Sequence, residues 1–231
     1  MTQKFATLLG ALMWVGASAV HAQTATDAPA AKGVTAAPAA PAVAGAAVKS
    51  QSSQSAPDAL VKSTVDEVLG VIKTTKDRRA LNDVIEKKVL PNFDFQAMAR
   101  LAVGRHWREA SPAQQKSLEN AFRSLLVNTY ATALTQSATA DQTVEVRPAP
   151  VKPADDEVTV RTLVKESGRK PIAINYRMAK AANGWMVYDV VVEDLSLVTN
   201  YRGSFSSEIA KSGIDGLIKS LETKNKSNAE G

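Results

Sequence analysis

The 231-residue chain contains no cysteine and only two histidines, His21 and His106. Without cysteine, the chain has no disulfide, no thiol chemistry and no thiolate-ligated metal or iron–sulfur site. The zinc motif HExxH, the phosphate-binding patterns GxxxxGK[ST] and GxGxxG, and the nucleophile elbow GxSxG are all missing from the sequence. We therefore expect neither an enzyme built on a familiar catalytic motif nor a bound cofactor.

The chain also lacks a strong charge of one sign and a long apolar run. Its 28 basic and 23 acidic residues give a formal net charge of +5, and lysine and arginine form no continuous run. Nucleic-acid binding is therefore not expected. The longest apolar stretch, Phe5 to Val15, is too short to cross a hydrocarbon layer of about 30 Å as a helix, so no membrane-spanning segment is expected.

Residues 1–22 have the composition of a secretory signal peptide. Lys4 supplies a positive start, the apolar stretch follows, and Val20-His21-Ala22 ends with the small residue that a signal peptidase requires. Because Gln23 rather than cysteine follows, we expect a soluble exported protein without a lipid anchor.

Residues 23–57 contain thirteen alanines and four prolines but no leucine, isoleucine or aromatic residue. So little apolar area cannot offset the entropy of ordering the chain, and a disordered leader is predicted. A proline-spaced tether to a membrane or partner is the alternative. The folded domain is then expected over residues 58–225, with a polar tail at 226–231.

Helical periodicity dominates the first half of this domain. Val61, Val65, Val68 and Ile72 recur on one face of a helix, and a second amphipathic helix is predicted over 78–89. A third helix is expected from the N-cap Asp94 to Gly104. A fourth, long helix starts at the capping box formed by Ser111 and Gln114.

From residue 142 the apolar period changes to two, which predicts four antiparallel strands. The phase expected for the last strand places Trp185, Val187, Asp189 and Val191 on one face, yet the alternate positions of that strand are also apolar. Both faces are therefore covered, or one borders an apolar cavity. Two more helices, separated at Gly213, complete a predicted α+β fold.

Ten aromatic residues are spread over the domain, which favours either a packed core or a hydrophobic pocket between the sheet and the long helices. They are Phe93, Phe95, Trp107, Phe122, Tyr130, Tyr176, Trp185, Tyr188, Tyr201 and Phe205.

Several blocks of sequence resemble the toluene-tolerance (MlaC) family, in the order and spacing of that family and over about residues 59–225. They are Val89-Leu-Pro-Asn-Phe-Asp-Phe-Gln-Ala-Met-Ala-Arg100, Gly104-Arg-His-Trp-Arg108, Ser111-Pro-Ala-Gln-Gln115, Trp185-Met-Val-Tyr-Asp-Val190, Leu197-Val-Thr-Asn-Tyr-Arg202 and Ser204-Phe-Ser206. The resemblance implies a periplasmic phospholipid carrier of the Mla lipid-asymmetry pathway. It also implies a twisted sheet with helices, likened to the nuclear-transport-factor-2 class, and an internal cavity for acyl chains. The implied partners are phospholipid, an outer-membrane lipoprotein complex and an inner-membrane ABC transporter.

The residues expected to form the cavity wall are inferred from the helix or strand on which each lies and from the side of that element that it occupies. They are not contacts transferred from the family. The candidates are Phe95, Met98, Leu101, Phe122, Leu126, Tyr130, Val146, Val160, Ile174, Tyr176, Trp185, Val187, Val198 and Tyr201. Arg147, Arg177 and Arg202 are candidates for contacting a lipid phosphate. Two other classes stay open: an enzyme that acts on an apolar substrate in the same pocket, with His106 or a buried carboxylate as base, and an interaction protein with a filled core.

Overall fold

A computed structural model of the chain describes residues 56–74, 78–131, 141–152 and 154–230. The predicted export signal and all but the last two residues of the predicted leader lie outside this range. The described residues form helices followed by an antiparallel sheet and a long final helix, so the predicted α+β class is confirmed.

Five α-helices carry most of the described chain. They are α1 (Pro57–Thr74), α2 (Arg78–Val84), α3 (Phe95–Val103), α4 (Pro112–Leu126) and α5 (Leu197–Glu230). Short turns extend three of them: π-helical turns at Ile85–Val89 and Val127–Ala131, and 3₁₀ turns at Leu90–Asn92 and Gly104–Arg108. The predicted second helix therefore stops being α-helical at Val84, and its last residues adopt the wider π geometry instead.

Local capping explains where α3 and α4 begin, and both predicted caps are confirmed. The Asp94 carboxylate accepts a hydrogen bond from the Ala97 amide at 2.8 Å. Ser111 and Gln114 form a reciprocal capping box, with distances of 3.3 and 2.9 Å between side chain and backbone.

The final helix is divided at the predicted position. Gly213 has φ 71° and ψ −176° inside α5, a conformation that breaks the helical path and that glycine adopts readily. The second half then continues to Glu230, so the predicted polar tail is helical over most of its length.

The sheet has five strands rather than the four predicted, joined as an antiparallel meander in the order β1 to β5. The strands are β1 (Thr143–Val146), β2 (Glu157–Lys165), β3 (Ile172–Ala181), β4 (Gly184–Val192) and β5 (Leu195–Ser196). Between β4 and β5, Glu193 and Asp194 both have positive φ. Such turns normally contain Asn-Gly, so the two-residue strand after this turn had no sequence signal.

A bulge in β4 changes the alternation that was predicted for this strand. Arg177 pairs with Asp189, but the next residue of β3, Met178, pairs with Val187, which leaves Tyr188 as the extra residue. Val190 and Val192 therefore line the same cavity as Val187. The prediction that Asp189 and Val191 lie on the same face of the strand as Val187 is wrong.

The apolar side chains form two cores. In the first, α3, α4 and α5 pack together, and Phe122 makes edge-to-face contacts with Tyr201 and Phe205 at 5.2 and 5.3 Å between ring centroids. In the second, α1 covers the inner face of the sheet, where Val160 and Met178 are fully buried. The cavity described below belongs to this second core.

The turn after α3 requires glycine. Gly104 has φ 66° and ψ −133°, and a Cβ placed there would lie 3.1 Å from Nε of Arg202. We expect Gly104→Ala to lower the free energy of unfolding by about 1–3 kcal/mol. Gly70→Ala is the matched control, because Gly70 is exposed within α1 with open space around it.

The control substitution should raise stability by about 0.5–1 kcal/mol, since alanine favours the helix more than glycine does. Urea unfolding of both variants measures the two effects. Equal stability of Gly104→Ala and the wild-type chain would show that this turn does not impose the left-handed conformation.

Candidate functional site

An apolar cavity of about 370 Å³ lies between α1 and the inner face of the sheet. This volume falls in the range of about 300–1,000 Å³ that is usual for ligand pockets. The wall on α1 consists of Leu60, Val61, Thr64, Val65, Val68, Leu69 and Ile72. The sheet contributes Val144, Val164, Ile172, Ile174, Tyr176, Met178, Val187, Val190 and Val192. The remaining lining residues are Ile85, Val89, Leu90, Asn92, Phe93, Phe95, Met98, Leu126, Val127, Tyr130, Gln142 and Leu197.

The regular spacing of residues on the helix and on the strands directs these side chains into the same cavity. Residues three and four apart on α1 share a helix face, and alternate residues of a strand share a sheet face. The register places Val144 opposite Val164, and Val164 opposite Ile172. These three valine and isoleucine side chains form one continuous apolar row across three strands.

The cavity lining contains no charged residue among the described part of the chain. Its amide and threonine side chains are already paired with protein groups. Asn92 donates to the Thr64 hydroxyl at 3.2 Å and to the Lys88 carbonyl at 2.7 Å, and Gln142 donates to Glu166 at 3.1 Å. The cavity therefore suits the uncharged part of a ligand.

Two tyrosines place a hydroxyl in or near this apolar space. Burial raises the pKa of Tyr176 to about 12, and burial beside Tyr201 raises the pKa of Tyr130 well above its ordinary value. The Tyr130 oxygen is sealed in protein and has no hydrogen-bond partner of standard geometry among the described residues. Both hydroxyls stay protonated at neutral pH, since removing water from around a phenolate disfavours the charged form.

Seven of the residues predicted from sequence to line a cavity lie in this wall: Phe95, Met98, Leu126, Tyr130, Ile174, Tyr176 and Val187. They come from α3, the end of α4 and the π-helical turn after it, and the inward positions of β3 and β4. That they contact a lipid stays a prediction.

The other seven predicted residues lie outside the wall. Phe122, Val198 and Tyr201 belong to the helical core, because α4 and α5 turn these side chains toward each other. Val146, Val160 and Trp185 pack within the sheet core beside the cavity. Leu101 is 39% exposed, at the edge of the α3 face that buries Met98 and Ala102.

None of the three predicted phosphate-binding arginines lines the cavity. Arg177 lies 3.6 Å from Asp189 and over the ring of Tyr188, because it alternates with the inward residues of β3. Arg147 lies 3.7 Å from Glu145, and the Arg202 side chain covers Gly104.

The largest group of lining residues that sequence reasoning missed, seven side chains, lies on α1. The spacing of Val61, Val65, Val68 and Ile72 indicated a buried helix face, but the same pattern is produced by a face packed in a solid core. The π-helical geometry of the turns that contribute Ile85, Val89 and Val127 to the lining, beside the predicted Tyr130, had no sequence signal.

His106, the candidate base, lies on the 3₁₀ turn after α3, where its Nδ1 is 2.8 Å from Glu109, and it does not line the cavity. Within the described ranges, no cluster of acidic and histidine side chains has the geometry to hold a metal ion. In the same part of the chain, none of the helices combines the length and apolar character needed to cross a membrane.

Comparison with known proteins gives a consistent set of relatives. A family model described as MlaC protein matches residues 62–223. The intermembrane phospholipid transport system binding protein MlaC of Haemophilus influenzae is 21% identical over 178 residues, which cover 74% of this chain and 82% of that protein. The toluene tolerance protein ttg2D of Pseudomonas putida is 24% identical over 174 residues, covering 72% and 78%.

A solved structure is also similar. It is a phospholipid-binding protein from Ralstonia solanacearum in complex with a phospholipid, 35% identical, with a TM-score of 0.66. The match covers 74% of this chain and 98% of that one.

The raised pKa of Tyr176 predicts a pH dependence of stability. Since its pKa is about 12 in the folded state and 10.0 ordinarily, the neutral side chain contributes its full stabilisation below about pH 10 and loses it as the pH rises to about 12. Over that interval, unfolding free energy should fall more for the wild-type chain than for Tyr176→Phe, by on the order of 2 kcal/mol. Urea unfolding at several pH values measures both curves, and parallel curves would contradict the burial of this hydroxyl.

Proposed function

The chain belongs to the MlaC family, and we propose that it is a phospholipid carrier that holds acyl chains in the cavity beneath α1. The observation that carries the proposal is the cavity itself, a partly open space of about 370 Å³ with no charged residue in its described wall. The similar protein from Ralstonia solanacearum, solved with a phospholipid, supports the same ligand class.

The physical need for such a carrier is large. Moving one acyl chain of ~15 methylenes into water costs about 12 kcal/mol at ~0.8 kcal/mol per methylene, and a two-chain lipid costs about twice as much. An apolar cavity removes most of this cost, while the charged phosphate stays in solvent because the wall offers it no charged partner. The apolar contacts are non-directional, so the cavity retains the acyl chain without fixing it in one conformation.

The proposal extends to where the carrier works and what it meets. The signal-like residues 1–22 support export, and we place the carrier in the periplasm. There it shuttles phospholipid between an outer-membrane lipoprotein complex and an inner-membrane ABC transporter and so maintains outer-membrane lipid asymmetry. The names of the relatives, which include an intermembrane phospholipid transport system, support this role. Carriage involves no bond cleavage, so the lipid leaves chemically intact.

The first test is native mass spectrometry of the chain purified under mild conditions. A carrier shows an adduct of phospholipid mass, and solvent extraction returns that phospholipid unaltered. Hydrolysed lipid would indicate an enzyme instead, and the absence of any lipid-sized adduct, even after incubation with phospholipid vesicles, would indicate a filled interaction domain.

A matched pair of substitutions on α1 tests the location of the lipid. Val68 lines the cavity and Val71, one turn along the same helix, is half-buried without lining it. Val68→Trp fills part of the cavity, and displacing two methylenes at ~0.8 kcal/mol each should weaken lipid binding about tenfold.

Val71→Trp should bind lipid as the wild-type chain does. Titration with a fluorescent phospholipid measures affinity for all three proteins, and circular dichroism confirms that each is folded. If both substitutions weaken binding equally, or neither does, the acyl chains do not occupy the space beneath α1.

A further inference from the structure

Two hydroxyls of the described cavity wall, those of Tyr130 and Tyr176, lack a hydrogen bond to protein, and only that of Tyr176 is not sealed in protein. Tyr176 lies in the middle of β3, between the cavity-lining residues Ile174 and Met178, and it lines the cavity itself. Across the described ranges, its hydroxyl makes no hydrogen bond with another protein group. The amide side chains of the wall differ, because Asn92 is bonded to Thr64 and Gln142 to Glu166.

Tyr130 provides an internal comparison. Its ring also lines the cavity, but its oxygen is sealed in protein beside Tyr201. The Tyr176 oxygen, which also lacks a partner, is not among the side-chain atoms of the described chain that are both sealed and unpaired. Of the two hydroxyls, that of Tyr176 is therefore the one that a molecule inside the cavity reaches.

We propose that the Tyr176 hydroxyl donates a hydrogen bond to an ester carbonyl oxygen of the bound phospholipid and so selects ester-linked acyl chains. This inference rests on the proposed function, because it requires a lipid in the cavity. Tyr176 would thus distinguish ester-linked lipids from other lipids, which the apolar wall alone cannot do.

The chemistry of the wall identifies the acceptor. A phosphate oxygen carries charge, and burying it without a charged partner is costly; no charged residue lines the described wall. The ester carbonyl is the uncharged acceptor that every diacyl phospholipid carries where its chains begin. A single neutral donor in an apolar cavity matches this single neutral acceptor, and an unmatched buried hydroxyl is unfavourable.

The expected selectivity follows from the strength of one such bond. A net contribution of about 0.5–1.5 kcal/mol corresponds to an affinity ratio of roughly 2- to 12-fold. A diether phospholipid with the same head group and the same chains lacks the carbonyl oxygen but keeps the apolar area. The ratio of diester to diether affinity therefore isolates the hydrogen bond from the hydrophobic contribution.

The experiment loads the full chain from vesicles that contain equal amounts of diester and diether phospholipid, matched in head group and chain length. Native mass spectrometry then measures the ratio of the two lipids on the protein. We expect the wild-type chain to favour the diester lipid by about 3- to 10-fold. Tyr176→Phe should take up both lipids equally, and the matched control Tyr188→Phe, whose hydroxyl bonds Glu157 outside the cavity wall, should keep the wild-type ratio.

A spectroscopic measurement tests the bond directly. With a diester lipid labelled with ¹³C at the carbonyl carbons, hydrogen bonding lowers the frequency of the infrared carbonyl band. One carbonyl band should shift in the wild-type complex and return to the unbonded position in Tyr176→Phe, whereas a purely structural role of Tyr176 would leave the band unchanged.

The outcomes separate the two proposals. If no protein takes up either lipid, the proposed carrier function fails. If all take up lipid but the wild-type chain shows no ester preference, or Tyr176→Phe retains it, the role of Tyr176 is overturned while the carrier function stands. A wild-type preference for unsaturated over saturated chains that disappears in Tyr176→Phe, without an ester preference, would likewise overturn the carbonyl as the acceptor.

Discussion

The apolar inner face of the sheet must be kept from water, and the rest of the structure depends on how this is done. A solid layer of helices would bury the face completely and leave a filled core. Here α1 covers the face along only one stripe of its surface, so Val68, Leu69 and Ile72 face the strands across an open cavity. The helical core of α3, α4 and α5 is packed separately around Phe122 and Tyr201. A void lacks the van der Waals contacts that stabilise a packed core. The helical core therefore supplies stability in one part of the fold, while the cavity occupies another.

The bulge in β4 connects these two parts. By adding Tyr188 to the strand, it lets Val187 and Val190 both serve the cavity and turns Asp189 away from it. The buried Asp189 carboxylate then accepts hydrogen bonds from the Ser196 hydroxyl at 2.7 Å and the Val198 amide at 3.3 Å. A negative side chain at the start of a helix is favourable because it satisfies free amides and opposes the positive end of the helix dipole. One extra residue therefore fixes both the cavity floor and the start of α5.

The distribution of polarity in the wall suits reversible binding of a long apolar chain. Charged residues near the cavity face outward, as Arg177 and Glu145 do, and the amides of Asn92 and Gln142 are bonded to protein. What remains toward the cavity is aliphatic and aromatic surface. Such surface binds by area rather than by direction, and the Tyr176 hydroxyl is the directional group that the described wall offers to the cavity.

The sequence by itself determined the elements whose signals are local. Asp94 and the Ser111–Gln114 capping box mark helix starts, Gly213 marks the division of α5, and the alternating segments mark β1 to β4. The family blocks around Phe93, Trp185 and Tyr201 indicated membership as well. Only the tertiary structure decided which buried faces meet, because a periodic apolar stripe looks the same against a core or a cavity. Val160 and Ile174 were equivalent in sequence, yet Val160 is packed solid and Ile174 faces the cavity. The bulge at Tyr188 and the π turns depend on pairing and packing between distant segments, and these settled the rest of the wall.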